Sequence, residues 1–385
     1  MSLSSRREYL SVMRSRYQTA KLRVQKSQIL DEVLSATGFN RKYAIRALGR
    51  QPTTRQPVRR HRPKGYLEAL PAIQAVWEAL DYPCAERLHP ALLATAELLH
   101  HHGELALTSL IRDQLQNISR ATLARRLAQW PTPKVRRAAL RSRPAPGIHA
   151  AVPIDRYAWN ETRPGALEID LVEHNGGSSA GHFAYTLDVV DVVTGWSARR
   201  AVLGRGQAGV FAALQEIVGR WPFPIWALHS DNGSEFINDI LLRFCRQHGY
   251  FFSRSRPYKK NDNAHVEQKN RQFVREVVGY ARYDSSVEVA WLNQVYDCLD
   301  PYANLYLPGR KVIGKARAGA HVKKTYDTAQ TPFQRALAAG VLDPATTTSL
   351  QAQRQAQSPL ALHRRLERLL GDLPENPSSL TTAAD

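Results

Sequence analysis

Apolar residues recur at helical spacing through the first fifty residues, and this pattern predicts helices. One apolar side is formed by Ile29, Leu30, Val33 and Leu34. Thr37-Gly38-Phe39-Asn40 interrupts the pattern, and a basic helix is then predicted from Arg41 to Leu48, before Gly49. Two helices joined by a short glycine-containing turn are typical of a helix-turn-helix, whose second helix can lie in the DNA major groove. A plain helical hairpin with a solvated basic face is the alternative interpretation of residues 1–50.

A proline- and arginine-rich segment, residues 51–65, has no apolar period and is predicted as a basic linker that can follow a phosphate backbone. Helical patterning returns in residues 66–130. The last part of this region repeats the N-terminal arrangement, with a turn at Asn117-Ile118 and Ser119 as the N-cap of a helix that reaches Leu127. A second helix-turn-helix unit is therefore expected here.

After a second basic linker, residues 131–152, the pattern changes to strands that alternate with helices. Strands are predicted at Ala166–Glu173, His182–Val193, Ser197–Val202, Ile225–His229 and Tyr250–Arg254. Helices are predicted at Gln207–Trp221, Glu235–His248 and Ala264–Tyr280. A three-strand meander followed by this alternation predicts an α/β domain over residues 153–295, with both antiparallel and parallel pairing in its sheet.

The remainder of the chain is predicted as a small basic unit and a helical tail. Residues 300–340 form the basic unit, with β structure expected between Lys311 and Tyr326. Thr331-Pro332 and Ser358-Pro359 each combine an N-cap with a proline in the first turn, and so begin helices. The tail covers residues 341–373, and residues 374–385 are expected to be disordered. The expected fold class is thus multidomain, with N-terminal all-α units, a central α/β domain and a small basic C-terminal β/α region.

The excess of positive charge indicates a polyanionic partner. The chain has 53 Lys and Arg residues against 34 Asp and Glu residues, a formal net charge of +19 and a pI near 10.1. Such a balance favours nucleic acid or an anionic membrane surface. No apolar run approaches the ~18 residues that a membrane-spanning helix needs, and the N-terminus lacks the apolar core of a signal peptide. We therefore expect DNA rather than a membrane as the partner, and a cytoplasmic, nucleoid-associated location.

Cysteine and histidine do not indicate a metal site. Cys84, Cys245 and Cys298 are widely scattered, fit neither a disulfide framework nor a zinc site, and are interpreted as reduced thiols. The run His100-His101-His102 is interpreted as a solvated helix end.

Three acidic residues lie where an α/β domain can bring them together. Asp170 is inside the first predicted strand, on the face opposite its apolar neighbours. Asp231 directly follows the fourth predicted strand and opens an Asp-Asn-Gly turn, and Glu267 lies on the polar side of the last predicted helix. Carboxylates are hard oxygen ligands that suit Mg²⁺, and two Mg²⁺ ions about 3.5–4 Å apart can activate an attacking oxygen and stabilise a leaving oxygen.

The spacing of these acids and the residues around them resemble a known enzyme core. Sixty residues lie between Asp170 and Asp231, and 35 lie between Asp231 and Glu267. The surrounding motifs are His-Ser-Asp-Asn-Gly-Ser-Glu-Phe, which begins at His229, and Asn-Ala-His-Val-Glu-Gln-Lys-Asn, which begins at Asn263. Together they closely resemble the D,D-35-E core that retroviral integrases share with many bacterial insertion-sequence transposases of the DDE superfamily. The resemblance covers about residues 153–290 and implies an RNase H-like fold.

The resemblance also implies a function and a set of site residues. The protein would be a DNA transposase or integrase, a polynucleotidyl transferase that cleaves the 3′ ends of a mobile element and joins them to target DNA. Asp170 would bridge two Mg²⁺ ions, for which Mn²⁺ can substitute, while Asp231 and Glu267 would each complete one metal site. His229, Asn232 and Asn263 match positions that line the active site. Among the other acids, Glu168 is a candidate supporting partner, Asp191 is expected to be structural, and Glu173 and Asp188 are further alternatives.

Basic residues are expected to hold the DNA of the element ends and of the target. On the predicted DNA-reading helices these are Arg41, Lys42, Arg46, Arg120, Arg125 and Arg126. Around the predicted active site they are Lys259, Lys260, Lys269 and Arg271. Because two element ends must be joined, the resemblance implies a homo-oligomer on DNA, while any requirement for an accessory ATPase stays open.

The chain departs from some relatives, and two other functions stay open. The zinc-binding domain of retroviral integrases is replaced by the two predicted helix-turn-helix units, and the C-terminal basic unit only weakly resembles the small β-barrel that follows many such cores. An RNase H-like nuclease would use the same metals but gives no reason for two upstream DNA-binding units. A transposase-derived regulator without strand-transfer activity predicts a missing acid, whereas all three acids are present.

Overall fold

The computed structural model describes residues 3–49, 65–131, 162–230, 236, 239–254, 264–318 and 321–372. Apart from Gly65 and Pro131, the predicted linkers lie outside these ranges, as do residues 374–385. The chain divides into two compact units, Met1–Lys64 and Gly65–Asp385. Within the described ranges, no helix combines the length and the apolar character needed to cross a bilayer.

Three helices form the first unit: α1 (Leu3–Thr19), α2 (Arg23–Thr37) and α3 (Arg41–Gly49). Helix α2 ends because Gly38 adopts a left-handed backbone with φ of 72°, and its N–H donates to the carbonyl of Leu34. All three helices contribute to the buried core, through Met13, Ile29, Leu30, Val33, Ala44 and Leu48. The apolar pattern predicted for α2, its interruption at Gly38 and the basic helix that follows are confirmed.

The second unit begins with four helices: α4 (Leu70–Ala79), α5 (Ala85–His101), α6 (Ser109–Asn117) and α7 (Arg120–Leu127). The hydroxyls of Thr108 and Ser119 cap α6 and α7 by accepting the backbone N–H groups of Ile111 and Thr122. The predicted N-cap at Ser119 and the helix end at Leu127 are therefore confirmed. The three consecutive histidines lie at the end of α5, where His100 contacts the carbonyl of Leu105 at 2.9 Å.

A five-stranded mixed sheet follows, in the order β3-β2-β1-β4-β5. Strands β1 (Ala166–Glu173), β2 (Ala184–Asp191) and β3 (Ser197–Leu203) form the antiparallel meander, and β4 (Ala227–Ser230) and β5 (Phe251–Arg254) continue the sheet in parallel with β1. Two helices accompany these strands, α8 (Gln207–Gly219) and α9 (Asp239–His248). The predicted meander and mixed pairing are confirmed, and the sheet with its helices fits an RNase H-like core.

The two faces of the sheet differ in chemistry because side chains alternate along each strand. One face packs its apolar residues against α8 and α9, through Leu167, Ile169, Leu187, Val189, Leu228 and Phe252. The opposite face carries the polar residues Glu168, Asp170, Thr186, Asp188, Arg199, His229 and Ser253, which the strand register places side by side. The candidate chemistry of the α/β domain therefore lies on this polar face.

Helical segments from the second half of the chain cover the polar face. Helix α10 (Ala264–Lys269) continues into a π-helical turn (Asn270–Arg275) and the short α11 (Glu276–Val278), and α12 (Ser286–Leu305) follows. Helix α12 closes the outer edge of β3. The side-chain amide of Asn293 accepts the backbone N–H of Ala201 and donates to its carbonyl. The amide of Asn304 makes the same two hydrogen bonds with the backbone of Ser197, and all four distances are 2.8–3.1 Å. Asp300 accepts the N–H of Arg199 at 2.8 Å, so α12 occupies an edge that another strand would otherwise pair with.

The last elements are the strands β6 (Val312–Ala318) and β7 (His321–Tyr326) and the helices α13 (Pro332–Ala338), α14 (Pro344–Ala356) and α15 (Pro359–Gly371). The Tyr302 hydroxyl of α12 donates to the carbonyl of Ala79 in α4, and the Trp291 indole donates to the carbonyl of Leu369 in α15. The segments predicted as 66–130, 153–295, 300–340 and 341–373 thus lie in one compact unit.

Strands β6 and β7 pair with each other in a two-stranded ribbon. The weak resemblance of this region to a small β-barrel is therefore wrong for the described residues. After the ribbon the chain becomes helical at Pro332 and buries Phe333 and Ala336, and residues 327–372 supply no further strand with which to close a barrel. The predicted β structure between Lys311 and Tyr326, and the helix starts at Thr331 and Ser358, are confirmed.

Candidate active site

Asp170 lies half-buried in the middle of β1, where two groups orient its carboxylate. Its Oδ1 accepts the backbone N–H of Leu171 at 2.9 Å, and its Oδ2 accepts the side-chain amide of Asn270 at 2.5 Å. Asn270 opens the π-helical turn that follows α10. One carboxylate of the predicted triad is thus tied directly to the helical segment that carries another.

Glu267 is an exposed residue of α10, and Glu168 holds the start of that helix against the sheet. Glu168 is only 2% exposed, and its Oε2 accepts the backbone N–H groups of His265 and Val266, both at 2.9 Å. The first N–H groups of a helix have no partner within the helix, so a carboxylate from β1 satisfies them here. Because Glu168 and Asp170 share one face of β1, this anchorage sets the position of Glu267 relative to Asp170.

The environment of Glu168 is reflected in its pKa, which is raised to about 8. Burial is the largest cause, because it disfavours the charged carboxylate. The two backbone N–H groups of α10 act in the opposite direction, and the neighbouring carboxylates of Glu267 and Asp170 raise the pKa further. The three acidic side chains of Glu168, Asp170 and Glu267 therefore lie close enough for their charges to interact.

Sequence analysis did not identify Asn270, although it lies one helical turn after Glu267 and on the same side of the helix. Its amide nitrogen donates to Asp170, while its Oδ1 is buried without a hydrogen-bond partner among the described residues. π-Helical turns occur frequently at functional sites, and this one begins at the residue that contacts Asp170. The spacing of three residues from Glu267 was the available signal.

Several predicted site residues lie outside the described part of the chain: Asp231, Asn232, Lys259, Lys260 and Asn263. Strand β4 ends at Ser230, which pairs with Ile169 of β1, and Asp231 is the next residue of the sequence. His229 is fully buried within β4, and its Nδ1 contacts the hydroxyl of Ser253 at 2.9 Å. It pairs in register with Glu168, so it belongs to the same polar face of the sheet.

The predicted DNA-contact residues next to Glu267 have different surroundings. Lys269 is half-buried, and its ammonium lies 4.7 Å from the ring centre of Phe273. Its pKa is lowered to about 7, because of its burial first and the nearby charge of Arg199 second. Arg271 is exposed and forms an ion pair with Glu276 at 3.1 Å. The side chain of Lys269 therefore points into the polar face rather than outward, whereas Arg271 is open to solvent.

The cations of α3 and α7 also differ in their contacts. Lys42 and Arg46 are exposed on α3, whereas Arg41 is held by Asp31 at 2.6 Å and by the Ser27 hydroxyl at 2.9 Å. On α7, Arg120 and Arg125 are exposed and Arg126 is half-buried. Both helices thus present basic side chains to solvent, as the sequence predicted.

Two further acids of β2, Asp191 at its end and Asp188 on the polar face, are held in structural contacts. Asp191 accepts the N–H and the hydroxyl of Thr194 and the N–H of Gly165 at 2.6–2.7 Å, which confirms its predicted structural role. Asp188 lies opposite Asp170 in the strand register and is fully buried. Its carboxylate is 3.3 Å from the guanidinium of Arg199, which also forms an ion pair with Asp300 at 2.5 Å. Burial raises the pKa of Asp188 to about 7, against the opposing effect of Arg199. This cluster connects the sheet to α12.

The donor set at this site is suited to a hard divalent cation. Asp170 and Glu267 supply carboxylate oxygens, and Asn270 fixes the orientation of one of them. No group of three or more His, Cys, Asp or Glu side chains with metal-binding geometry occurs among the described residues, and the third predicted ligand, Asp231, lies outside them. The residues present therefore fit the predicted metal site as far as the structure describes it.

The chain is similar to one protein-family model, to a curated protein and to a solved structure. The family model of the integrase core domain matches residues 161–260. The chain is 37% identical over 342 residues to the uncharacterized protein y4rM of Sinorhizobium fredii, a match that covers 87% of this chain and 96% of that protein. Among solved structures, the catalytic core domain of BIV integrase matches with a TM-score of 0.29 and 16% identity, over 46% of this chain and 95% of that one.

Proposed function

Since the chain belongs to the DDE transposase and integrase family, with an integrase core domain, we propose that it cleaves and joins DNA through Asp170, Asp231 and Glu267. The proposed substrates are the ends of a mobile element and a target duplex. The proposed cofactors are two Mg²⁺ ions, which Mn²⁺ can replace. This proposal rests above all on one observation, the contact of Asn270 with Asp170 at 2.5 Å, which joins the strand of the first acid to the helical segment of the third.

The proposed reaction has two steps. Water first cleaves the element end and leaves a 3′-hydroxyl, and this hydroxyl then attacks a target phosphodiester while the target 3′-oxygen leaves. When bound, the divalent ions supply Lewis-acid activation of the attacking oxygen and stabilise the leaving oxygen. The three carboxylates would hold the ions, while Asn270 orients Asp170 and Glu168 keeps the start of α10 in position for Glu267.

DNA binding is proposed for several basic surfaces of the chain. The exposed Lys42 and Arg46 of α3, and Arg120 and Arg125 of α7, are suited to phosphate or base contacts if the two helix pairs act as helix-turn-helix units. Lys259, Lys260 and Arg271 are proposed to hold DNA near the site. Since two ends have to be joined, we also propose that the protein acts as a homo-oligomer on DNA.

The test uses the purified protein, Mg²⁺ and a plasmid that carries this gene with its native flanking DNA. The 3′ ends and the joined products are mapped for the wild type, for Glu267→Gln, and for Glu276→Gln, which removes a carboxylate from the same helical segment. We expect discrete ends and strand-transfer products from the wild type and Glu276→Gln, and neither from Glu267→Gln. Cleavage that persists in Glu267→Gln would contradict the assignment of this carboxylate.

A DNA-binding regulator derived from a transposase is the second candidate, and the same assay separates it from the enzyme. Sequence-specific DNA binding by all three proteins, with no cleavage from any of them, would favour the regulator. Cleavage without joining would favour an RNase H-like nuclease.

A further inference from the structure

The β6–β7 ribbon (residues 312–318 and 321–326) is strongly basic and exposed on its surface. It contains Lys315, Arg317, Lys323 and Lys324, and no Asp or Glu occurs in either strand. All four cations are exposed, and so are the apolar residues Ile313 and Val322, which are 66% and 50% exposed. An isolated two-stranded hairpin is only marginally stable in water. Since this ribbon buries little apolar surface, its stability depends on contacts with the rest of the unit.

The strand register divides the ribbon into two faces. Lys315 lies directly opposite Lys324, and Arg317 lies opposite Val322, so three cations share one face. The other face has Gly314 and Ala316 on β6, opposite Thr325 and Lys323. The register therefore places the like charges of Lys315 and Lys324 side by side on the same face.

The base of the ribbon is fixed to the sheet of the core. The Lys311 ammonium donates to the carbonyls of Val192 and Val193, in the turn after β2. The Asp327 carboxylate accepts the backbone N–H of Lys311 and the guanidinium of Arg335, both at 2.7 Å. The base of the ribbon is therefore attached to the turn after β2 and to Arg335 of α13.

The ribbon starts at the sheet that carries the proposed active site. Val192 and Val193, which Lys311 contacts, directly follow β2. Strand β2 pairs with β1, the strand of Glu168 and Asp170. The base of the ribbon is therefore attached next to the strands of the proposed site.

The dimensions of the ribbon agree with a DNA groove. Two paired strands are ~4.8 Å apart, and strands of this length extend roughly 20 Å. The major groove of B-DNA is ~12 Å wide and admits a two-stranded β-ribbon. The small residues of β6 on the second face add little to the thickness of the ribbon.

We infer that the β6–β7 ribbon is a duplex-DNA-binding element, which lays its cationic face, Lys315, Arg317 and Lys324, along a groove of DNA engaged by the core. This inference rests on the proposed function in that it takes DNA as the partner, but it requires no catalysis. Charge complementarity selects the occupant, because three exposed cations share one face, neither strand contains an acid, and a DNA duplex is a polyanion.

The test compares two neighbouring lysines of equal charge on opposite faces. Lys324→Ala removes a cation from the cationic face, and Lys323→Ala removes one from the other face. Binding of the full chain to a labelled DNA duplex is followed by fluorescence anisotropy over a salt series from about 50 to 200 mM. We expect Lys324→Ala to weaken binding and to reduce the slope of log K against log salt by about 1, and the triple variant Lys315→Ala/Arg317→Ala/Lys324→Ala to reduce it by about 3. Lys323→Ala should change binding less than Lys324→Ala.

Several outcomes would overturn the inference. Wild-type affinity and slope in the triple variant would do so, as would equal effects of Lys323→Ala and Lys324→Ala, because the effect would then be one of net charge alone. Stronger competition by duplex RNA than by duplex DNA would assign the ribbon to another polyanion. Circular dichroism and the melting temperature of each variant exclude misfolding as the cause of weaker binding.

Glu267→Gln, assayed in parallel, separates the two proposals. It should bind DNA with wild-type affinity and give no cleavage. If the ribbon variants bind normally while Glu267→Gln abolishes cleavage, the ribbon inference fails and the proposed function stands. If the ribbon variants bind weakly while the wild type cleaves nothing, the ribbon inference stands and the proposed function fails.

Discussion

The side-chain amide of Asn270 donates to the carboxylate of Asp170 at 2.5 Å, across 100 positions of sequence. This hydrogen bond joins β1 to the first residue of the π-helical turn, three residues after Glu267. It leaves Asp170 with a fixed orientation, and groups that orient metal ligands contribute strongly to metal affinity.

We therefore expect Asn270→Ala to raise the Mg²⁺ concentration needed for half-maximal DNA cleavage by about 10- to 100-fold, because Asp170 loses the group that orients it. A Mg²⁺ titration of the cleavage assay measures this change. Gln268→Ala, at an exposed position of the same helical segment, is the matched control and should behave like the wild type. An unchanged Mg²⁺ dependence in Asn270→Ala would show that the contact has no role in metal binding.

The anchorage of α10 by Glu168 gives a second prediction. In Glu168→Gln the side-chain carbonyl can still accept the N–H groups of His265 and Val266, whereas Glu168→Ala leaves both without a partner. A buried donor without a partner costs about 1–3 kcal/mol, so we expect Glu168→Ala to lower the free energy of unfolding by at least this amount and Glu168→Gln to lower it less. Urea denaturation of both variants measures the difference. Equal losses in the two variants would mean that hydrogen bonding to α10 is not the contribution of Glu168.

The closed edge of β3 gives a third prediction. Asn304→Ala removes two hydrogen bonds to the backbone of Ser197, both in a buried setting, and leaves the N–H and the carbonyl of Ser197 without these partners. We expect a loss of about 2 kcal/mol in the free energy of unfolding and a greater tendency to aggregate, because the strand edge becomes available for pairing. Chemical denaturation and light scattering measure the two effects. Gln294→Ala, an exposed residue of the same helix, should change neither.

The reactivity of the thiols gives a fourth prediction. Cys84 is exposed, whereas Cys245 and Cys298 are buried, and burial raises the pKa of the Cys245 thiol to about 12. Only a thiolate reacts rapidly with a disulfide reagent, so we expect one thiol per chain to react quickly in the native protein and all three after denaturation. Ellman's reagent provides the count, and Cys84→Ser should abolish the rapid phase. A second rapidly reacting thiol in Cys84→Ser would contradict the packing of α9 or α12.

Local sequence was sufficient for most of the secondary structure and for the choice of chemistry. Alternating and helical apolar patterns predicted β1 from Ala166 to Glu173, the N-cap at Ser119 and the break at Gly38, because each depends on neighbouring residues only. The three acids were also identified from sequence alone, because their spacing and the motifs around them resemble the family core.

Contacts between distant residues were decided by the tertiary structure alone. Asn270 reaches Asp170, Glu168 caps α10, and Lys269 turns inward over Phe273, because each position is set by how α10 packs on the sheet. In the same way, Tyr302 joins α12 to Ala79 across more than 200 residues and brings the helices before and after the sheet into one unit. A periodic pattern indicates which side of a helix or strand is apolar, but it does not indicate which other element packs against that side. The sequence by itself therefore determined the elements and the acids, and the packing between elements determined which residues surround them.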